Sequence, residues 1–160
     1  MSFAIDSAIT ASGNCFKGQI APGWDIQGNA NGGYLMALGA RAMAAASRPH
    51  PVTVTAHFLS PGKVGEVTVE PHIIKTGKGF TTVRASMSGP QRQILELLGS
   101  FSELESVDGA VLVDAQPPEL PAPEDCPRVV PDERGFPPPM MGRVDMRLHP
   151  EDANFARGRP

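Results

Sequence analysis

The sequence predicts an α+β domain in which a long antiparallel sheet wraps around one buried central helix. Two observations predict it. From Gly33 to Ser47 the residues YLMALGARAMAAAS are strong helix formers with Arg41 as the only charge on any face. Four strand-like runs follow, Val52 to Leu59, Val64 to Lys75, Phe80 to Met87 and Ile94 to Leu104, separated by the turn sequences SPGK, TGKG and SGPQR. A helix without a polar face must be covered nearly all round, and short connections between consecutive strands predict an antiparallel meander to cover it.

Taken in chain order, the start MSFAIDSAIT has no basic leader, and Asp6 breaks its short apolar stretch, so it does not read as a secretory signal. Phe16 to Ile20 is a short strand, and Pro22-Gly23 with GWDIQGNANGG is a loop by turn chemistry. Asn31 stands where a helix N-cap is expected, and Pro49 stops the helix. Gly39 and the alanines at 37, 40, 42, 44, 45 and 46 give this helix a thin profile that lets a sheet approach closely. In the strand after it, Val52, Val54, Ala56 and Phe58 point one way and Thr53, Thr55 and His57 the other, so one face is apolar. A sheet rolled around a central helix in this way is the hotdog architecture.

Prolines then divide the chain. Six of seventeen precede residue 117 and eleven lie in the last forty-four residues, from 117 on, so that stretch cannot donate a continuous ladder of hydrogen bonds. Residues 1–113 are expected to form the hotdog domain and 114–141 a Pro-rich extended linker. In GRVDMRL, Gly142 to Leu148, the residues Val144, Met146 and Leu148 alternate with Arg143, Asp145 and Arg147. That pattern predicts a half-buried strand opening a second, incomplete hotdog domain over 142–160.

At 160 residues and 16.9 kDa the chain is one domain, or one domain and part of another. A hydrophobic share of 41% against 19% charged excludes a polar disordered polymer, and a formal charge of −3 gives too little positive field for nucleic acid or anionic membrane. The longest weakly polar stretch, Gly32 to Ser47, is shorter than the roughly 20 residues a bilayer span needs. Cys15 and Cys126 lie far apart and outside any Cys/His cluster, which suggests neither disulfide nor zinc and fits a reducing cytoplasm. His50, His72 and His149 have no metal-ligand spacing, Gly77-Lys78-Gly79 lacks the rest of a phosphate-binding loop, and there is no GxSxG elbow. No metal and no cofactor are expected.

Four segments carry a resemblance. GWDIQGNANGGYLMALGARAM, VTVTAHFLSPGK, GKGFTTVRASM and ILELLGSFSEL, in this order and spacing, resemble the N-terminal half of the TesB-like acyl-CoA thioesterases over residues 15–104. The resemblance implies a double hotdog, of which this chain is the first half. It also implies hydrolysis of an acyl-CoA to free acid and CoA. The aspartate, threonine and glutamine that orient the attacking water in type II bacterial members lie in the second half, outside residues 1–160. Some members carry a histidine where Thr55 stands here, and His57 is offset from it by two places.

Thioester hydrolysis needs a water aimed at the carbonyl carbon, a group to take its proton, and donors for the developing oxyanion. The backbone N–H groups of Gly33 and Tyr34 stand at the positive end of the helix dipole, and Gly32 and Gly33 let an acyl thioester approach the backbone closely. The same glycines also suit a plain loop-to-helix turn. Asp25 reads as a turn residue or as a general base; Asn29 and Asn31 as residues that orient a water or, for Asn31, cap the helix. His57 either meets a ligand or partner or is a half-exposed strand residue. Lys75, Lys78 and Arg84 gather around one turn and either meet the phosphates of CoA or are solvated. A lone hotdog half leaves sheet edges to cover, so a homo-oligomer or pairing with a second half is expected. The alternative function is a non-catalytic hotdog module that binds acyl groups or serves in assembly. A hydratase on the same fold would need an Asp and a His paired near the helix, and only Asp25 is close in sequence.

Overall fold

In a computed structural model, which describes residues 2–106, 109–110, 112–133 and 136–154, the chain falls into two units, Met1–Val107 and Asp108–Pro160. The first opens with a single helical turn, α1 (Phe3–Asp6), and a short strand, β1 (Ile9–Ser12), neither of which the sequence pattern predicts. β1 turns back into β2 (Cys15–Ile20) through Gly13, whose φ of 63° favours glycine. Residues expected to be loop form a two-residue hairpin, β3 (Asp25–Ile26) and β4 (Asn29–Ala30), and lead into the long helix α2 (Gly32–Ala46). Four long strands follow: β5 (His50–Phe58), β6 (Gly65–Thr76), β7 (Thr81–Ser88) and β8 (Gln93–Ser102).

All neighbours in the six-stranded sheet are antiparallel, in the order β1-β2-β6-β7-β8-β5. The sheet and its one long helix form the hotdog architecture expected. The meander needs correction. β6, β7 and β8 do run as consecutive hairpins, but β5 pairs with β8 and not with β6. The SPGK segment is therefore a crossover rather than a hairpin turn. Its start is fixed where Leu59 N donates to Ile94 O at 2.9 Å, and Gly62 lies so close to the helix that a Cβ there would meet Leu35 Cδ1 at 3.0 Å and Ile20 Cδ1 at 3.2 Å.

The helix also differs from expectation. Tyr34, Leu35, Leu38, Gly39, Ala42 and Met43 are buried, a stripe at helical spacing, while Gly33, Arg41 and Ala45 are exposed. It is covered along one face and not all round, because its alanines satisfy helix propensity without needing burial. The stripe packs on Val67, Val69, Val83, Ala85, Met87, Leu95, Leu97 and Phe101 from the concave face of the sheet. Gly39 lets the helix sit close, since a Cβ there would lie 2.3 Å from Leu97 Cδ1.

A buried polar set ties the start of the chain to this core. Trp24 Nε1 donates to Asp6 Oδ2 at 2.9 Å, and Trp24 stacks on Tyr34 with ring centroids 5.0 Å apart. The Tyr34 hydroxyl donates to Asp6 O at 2.6 Å and accepts the Ala21 N–H at 3.1 Å. The exposed Arg41 guanidinium donates to Ala4 O at 2.9 Å and Ser7 Oγ at 2.8 Å, which occupies the one charge of the helix.

The second unit departs further from the sequence reading. The strand expected over Gly142 to Leu148 does not form: Pro139–Gly142 is a 3-10 turn, 143–145 is a turn, and only Arg147 makes an isolated antiparallel bridge, to Arg128. Two hydrogen bonds flank that bridge, Val129 N to Met146 O at 2.9 Å and Leu148 N to Pro127 O at 3.1 Å. The ladder cannot lengthen because Pro127 and Pro131 have no N–H to give. The expected linker over 114–141 is likewise not extended throughout, with a 3-10 turn at Pro123–Asp125 and Arg147 bonded back to Pro123 O at 2.6 Å. No helix among the described residues is long and apolar enough to cross a membrane.

Candidate functional site

The N-terminus of α2 opens onto a cleft of about 480 Å³ lined by Gly32, Leu35, Phe58, Leu59, Ser60 and Pro61, with Asn29, Ala30 and Gly62 completing its wall. Three elements meet there: the first turn of the helix, the end of β5 and the crossover to β6. Each arrives for a local reason. Asn31 caps the helix, its Oδ1 accepting the Tyr34 N–H at 3.2 Å, while its own N–H is held by Trp24 O at 2.8 Å. Phe58 belongs to the face of β5 that looks toward the helix, in register with Leu95. The crossover is pinned by Ser60 Oγ donating to Gln93 O.

Of the donors expected at this helix start, one is spent. The Tyr34 N–H goes to Asn31, and the Tyr34 ring and hydroxyl are buried in the core, so Tyr34 offers nothing to a ligand in the cleft. Gly32 and Gly33 remain, and their N–H groups have no partner among the described residues. They sit at the positive end of the helix dipole. Lys63 adds a charge at the rim, its Nζ 2.9 Å from Gly28 O and 2.7 Å from Asn29 Oδ1. An apolar cleft lined by Gly32, with the free Gly33 N–H next to it in the same helix turn and a nearby ammonium, suits a carbonyl that becomes negative as it reacts.

The remaining expected residues lie elsewhere or are occupied. Asp25 Oδ2 accepts the Gly28 N–H at 3.0 Å, closing the β3–β4 hairpin, and Asp25 is not among the residues that line the cleft. Asn29 lines the cleft, its side chain bonded to Lys63. His57 is exposed on the outer face of the sheet, opposite the face of its neighbour Phe58 and in register with Glu96. The basic cluster is not one group: Arg84 stands on the outer face and pairs with Glu96 at 3.1 Å, whereas Lys75 and Lys78 line a smaller cleft of about 240 Å³ with Phe80. Arg84 donating to it holds the Glu96 carboxyl below its ordinary range; partial burial opposes this, and Gln93 and then His57 assist.

Sequence reasoning did not find Phe58, Leu35, Leu59 and Pro61 as cleft walls. One signal was available. Phe58-Leu59 breaks the apolar/polar alternation just before Ser60-Pro61-Gly62, and both are more than half exposed, at 53% and 54%.

The family of the acyl-CoA thioesterase N-terminal domain matches residues 20–102, just over half of the chain. No curated protein matches it. Among solved structures, a protein assigned as a thioesterase II from Thermobifida fusca YX is 27% identical with a TM-score of 0.82, covering 99% of this chain and 58% of that one. A conserved protein with a hot dog fold from Alicyclobacillus acidocaldarius is 24% identical with a TM-score of 0.72, over 88% of this chain and 52% of that one. A tesB protein of Mycobacterium avium subs paratuberculosis is 23% identical with a TM-score of 0.64, over 77% and 48%. The chain thus spans about half the length of these three proteins, as one half of a double hotdog does.

Proposed function

Because the chain belongs to the acyl-CoA thioesterase N-terminal domain family, we propose that it is one hotdog half of an enzyme that hydrolyses an acyl-CoA thioester to free acid and CoA. The observation that supports this reading is the apolar cleft that Gly32 lines, with the unpartnered N–H groups of Gly32 and its exposed neighbour Gly33 at the helix start. With the thioester carbonyl directed at these donors, negative charge growing on its oxygen meets two fixed dipoles and the field of Lys63, and the acyl group lies along Leu35, Phe58 and Leu59.

Proton transfer is assigned outside this cleft. No carboxylate or imidazole lines it among the described residues, and the Asp25 carboxylate is engaged in its turn. The attacking water is therefore oriented by a second hotdog unit, as the TesB-like resemblance implies. We assign the pairing edge to β5, a nine-residue strand at the end of the sheet order whose last residue stands at the cleft; the other edge, β1, has only four residues. Free thiols at Cys15 and Cys126 support a reducing, cytoplasmic setting.

The same absence of a titratable lining group favours the second reading, an acyl-binding module without turnover. Calorimetry with non-hydrolysable acyl-CoA ketone analogues and thiol release from acyl-CoAs separate the two. Binding with turnover once a second hotdog unit is present supports the enzyme, and binding without turnover under any pairing supports the module. No binding by the 160-residue chain sinks both. Asp25→Asn is expected to leave binding and turnover unchanged, since an amide oxygen still accepts the Gly28 N–H; turnover lost in that variant would make Asp25 the base.

A further inference from the structure

We propose that Phe58 determines specificity at the carbonyl end of the acyl group, discriminating straight from branched chains at the carbon next to the thioester. This rests on the reading that the cleft at α2 holds the thioester.

Phe58 faces the helix side of the sheet, yet it is 53% exposed while Leu95 beside it in register is fully buried. Its ring does not join the core. The tip is instead set against the helix start: a Cβ built on Gly32 would lie 2.9 Å from Phe58 Cζ and 3.1 Å from Cε1. Glycine at 32 is thus needed for the ring to come this near the backbone, as well as for any ligand. The ring edge stands beside one of the two free N–H groups that would hold the carbonyl oxygen.

Geometry then limits what the ring can touch. With the carbonyl oxygen at hydrogen-bond distance from Gly32 N, the first carbon of the acyl chain comes within van der Waals reach of the Phe58 ring, whose tip stands against Gly32. Carbons farther along have Leu35 and Leu59 as the other large apolar walls of the cleft. A methyl branch on the first carbon meets the aromatic wall, while extra length at the far end does not. Because the ring is half-exposed and at a strand end, its removal takes away a wall more than a part of the core.

The test is calorimetric titration of the 160-residue chain with ketone analogues of butyryl-CoA and isobutyryl-CoA, which keep the carbonyl and the number of carbons and move one methyl from the chain end to that carbon. Wild type is expected to favour the straight analogue. Phe58→Ala is expected to lower the ratio of isobutyryl to butyryl Kd by about tenfold, the scale of one methyl group against a fitted wall. Phe58→Leu, which keeps an apolar side chain and protects against a folding defect, is expected to fall between. Wild-type binding with an unchanged ratio in both variants would overturn the role of Phe58 and leave the proposed function standing, and an equal loss for both analogues would reduce Phe58 to a structural residue. Failure of wild type to bind either analogue would overturn the proposed function together with this inference.

Discussion

The two units of the chain use their backbones in opposite ways. In Met1–Val107, strands of up to twelve residues and a helix of fifteen satisfy one another's hydrogen bonds around a buried apolar stripe. Among the described residues of Asp108–Pro160 the regular structure is 3-10 turns of three or four residues and one isolated bridge, with exposed ion pairs at Asp145 to Arg128 and Arg147. The difference lies in backbone donors as much as in hydrophobicity. Alternating Val144, Met146 and Leu148 had the right pattern for a strand, but the facing segment is interrupted by Pro127 and Pro131, so pairing stops at one bridge.

The contrast breaks most visibly at the centre of α2. Leu38→Asp would bury an unpaired carboxylate at a fully buried position, with an expected cost of about 4 kcal/mol or more and loss of a cooperative melt by circular dichroism. A folded, cooperatively melting L38D chain would contradict the packing described. Next in size is Asp6→Ala. It strands the buried Trp24 Nε1–H and is expected to cost about 1–3 kcal/mol in chemical denaturation, which tests whether the N-terminal turn belongs to the core.

Smaller effects sharpen the comparison at the surface. Since Arg84 lowers the Glu96 pKa in the folded chain, Glu96 contributes stability that is fully present above its ordinary value of 4.5 and is lost as pH falls through the lowered one. Glu96→Gln is expected to flatten the acid side of the melting-temperature profile and leave the neutral side nearly unchanged. Smallest of all is Asp145→Asn, which removes two exposed pairs in the second unit and is expected to change stability by under about 0.5 kcal/mol.

Legibility in the sequence followed the same division. The helix was readable from its run of strong helix formers and the long strands from apolar runs bounded by turn sequences, as at Val83, Ala85 and Met87 on β7, whereas the one buried face of α2, with Leu35, Leu38 and Met43, was not, because alanine suits a helix whether buried or exposed. Pairing was less readable. Pro61-Gly62 signals a change of direction, but nothing local says that β8 rather than β6 lies next to β5. At the site, the helix start and its glycines were legible from capping chemistry, whereas Phe58 and Leu59 were hidden because only the crossover brings them to Gly32. At Tyr34 the Asn31 cap that defines the helix start also takes the N–H.

The central claim is that the thioester carbonyl is held by the backbone at the start of α2. It is tested most directly by amide NMR of the 160-residue chain titrated with a ketone analogue of an acyl-CoA. The account predicts that the Gly32 and Gly33 amide resonances move on saturation, with the core amide of Val83 unchanged. Saturable binding that leaves Gly32 and Gly33 in place and moves other amides instead would contradict it.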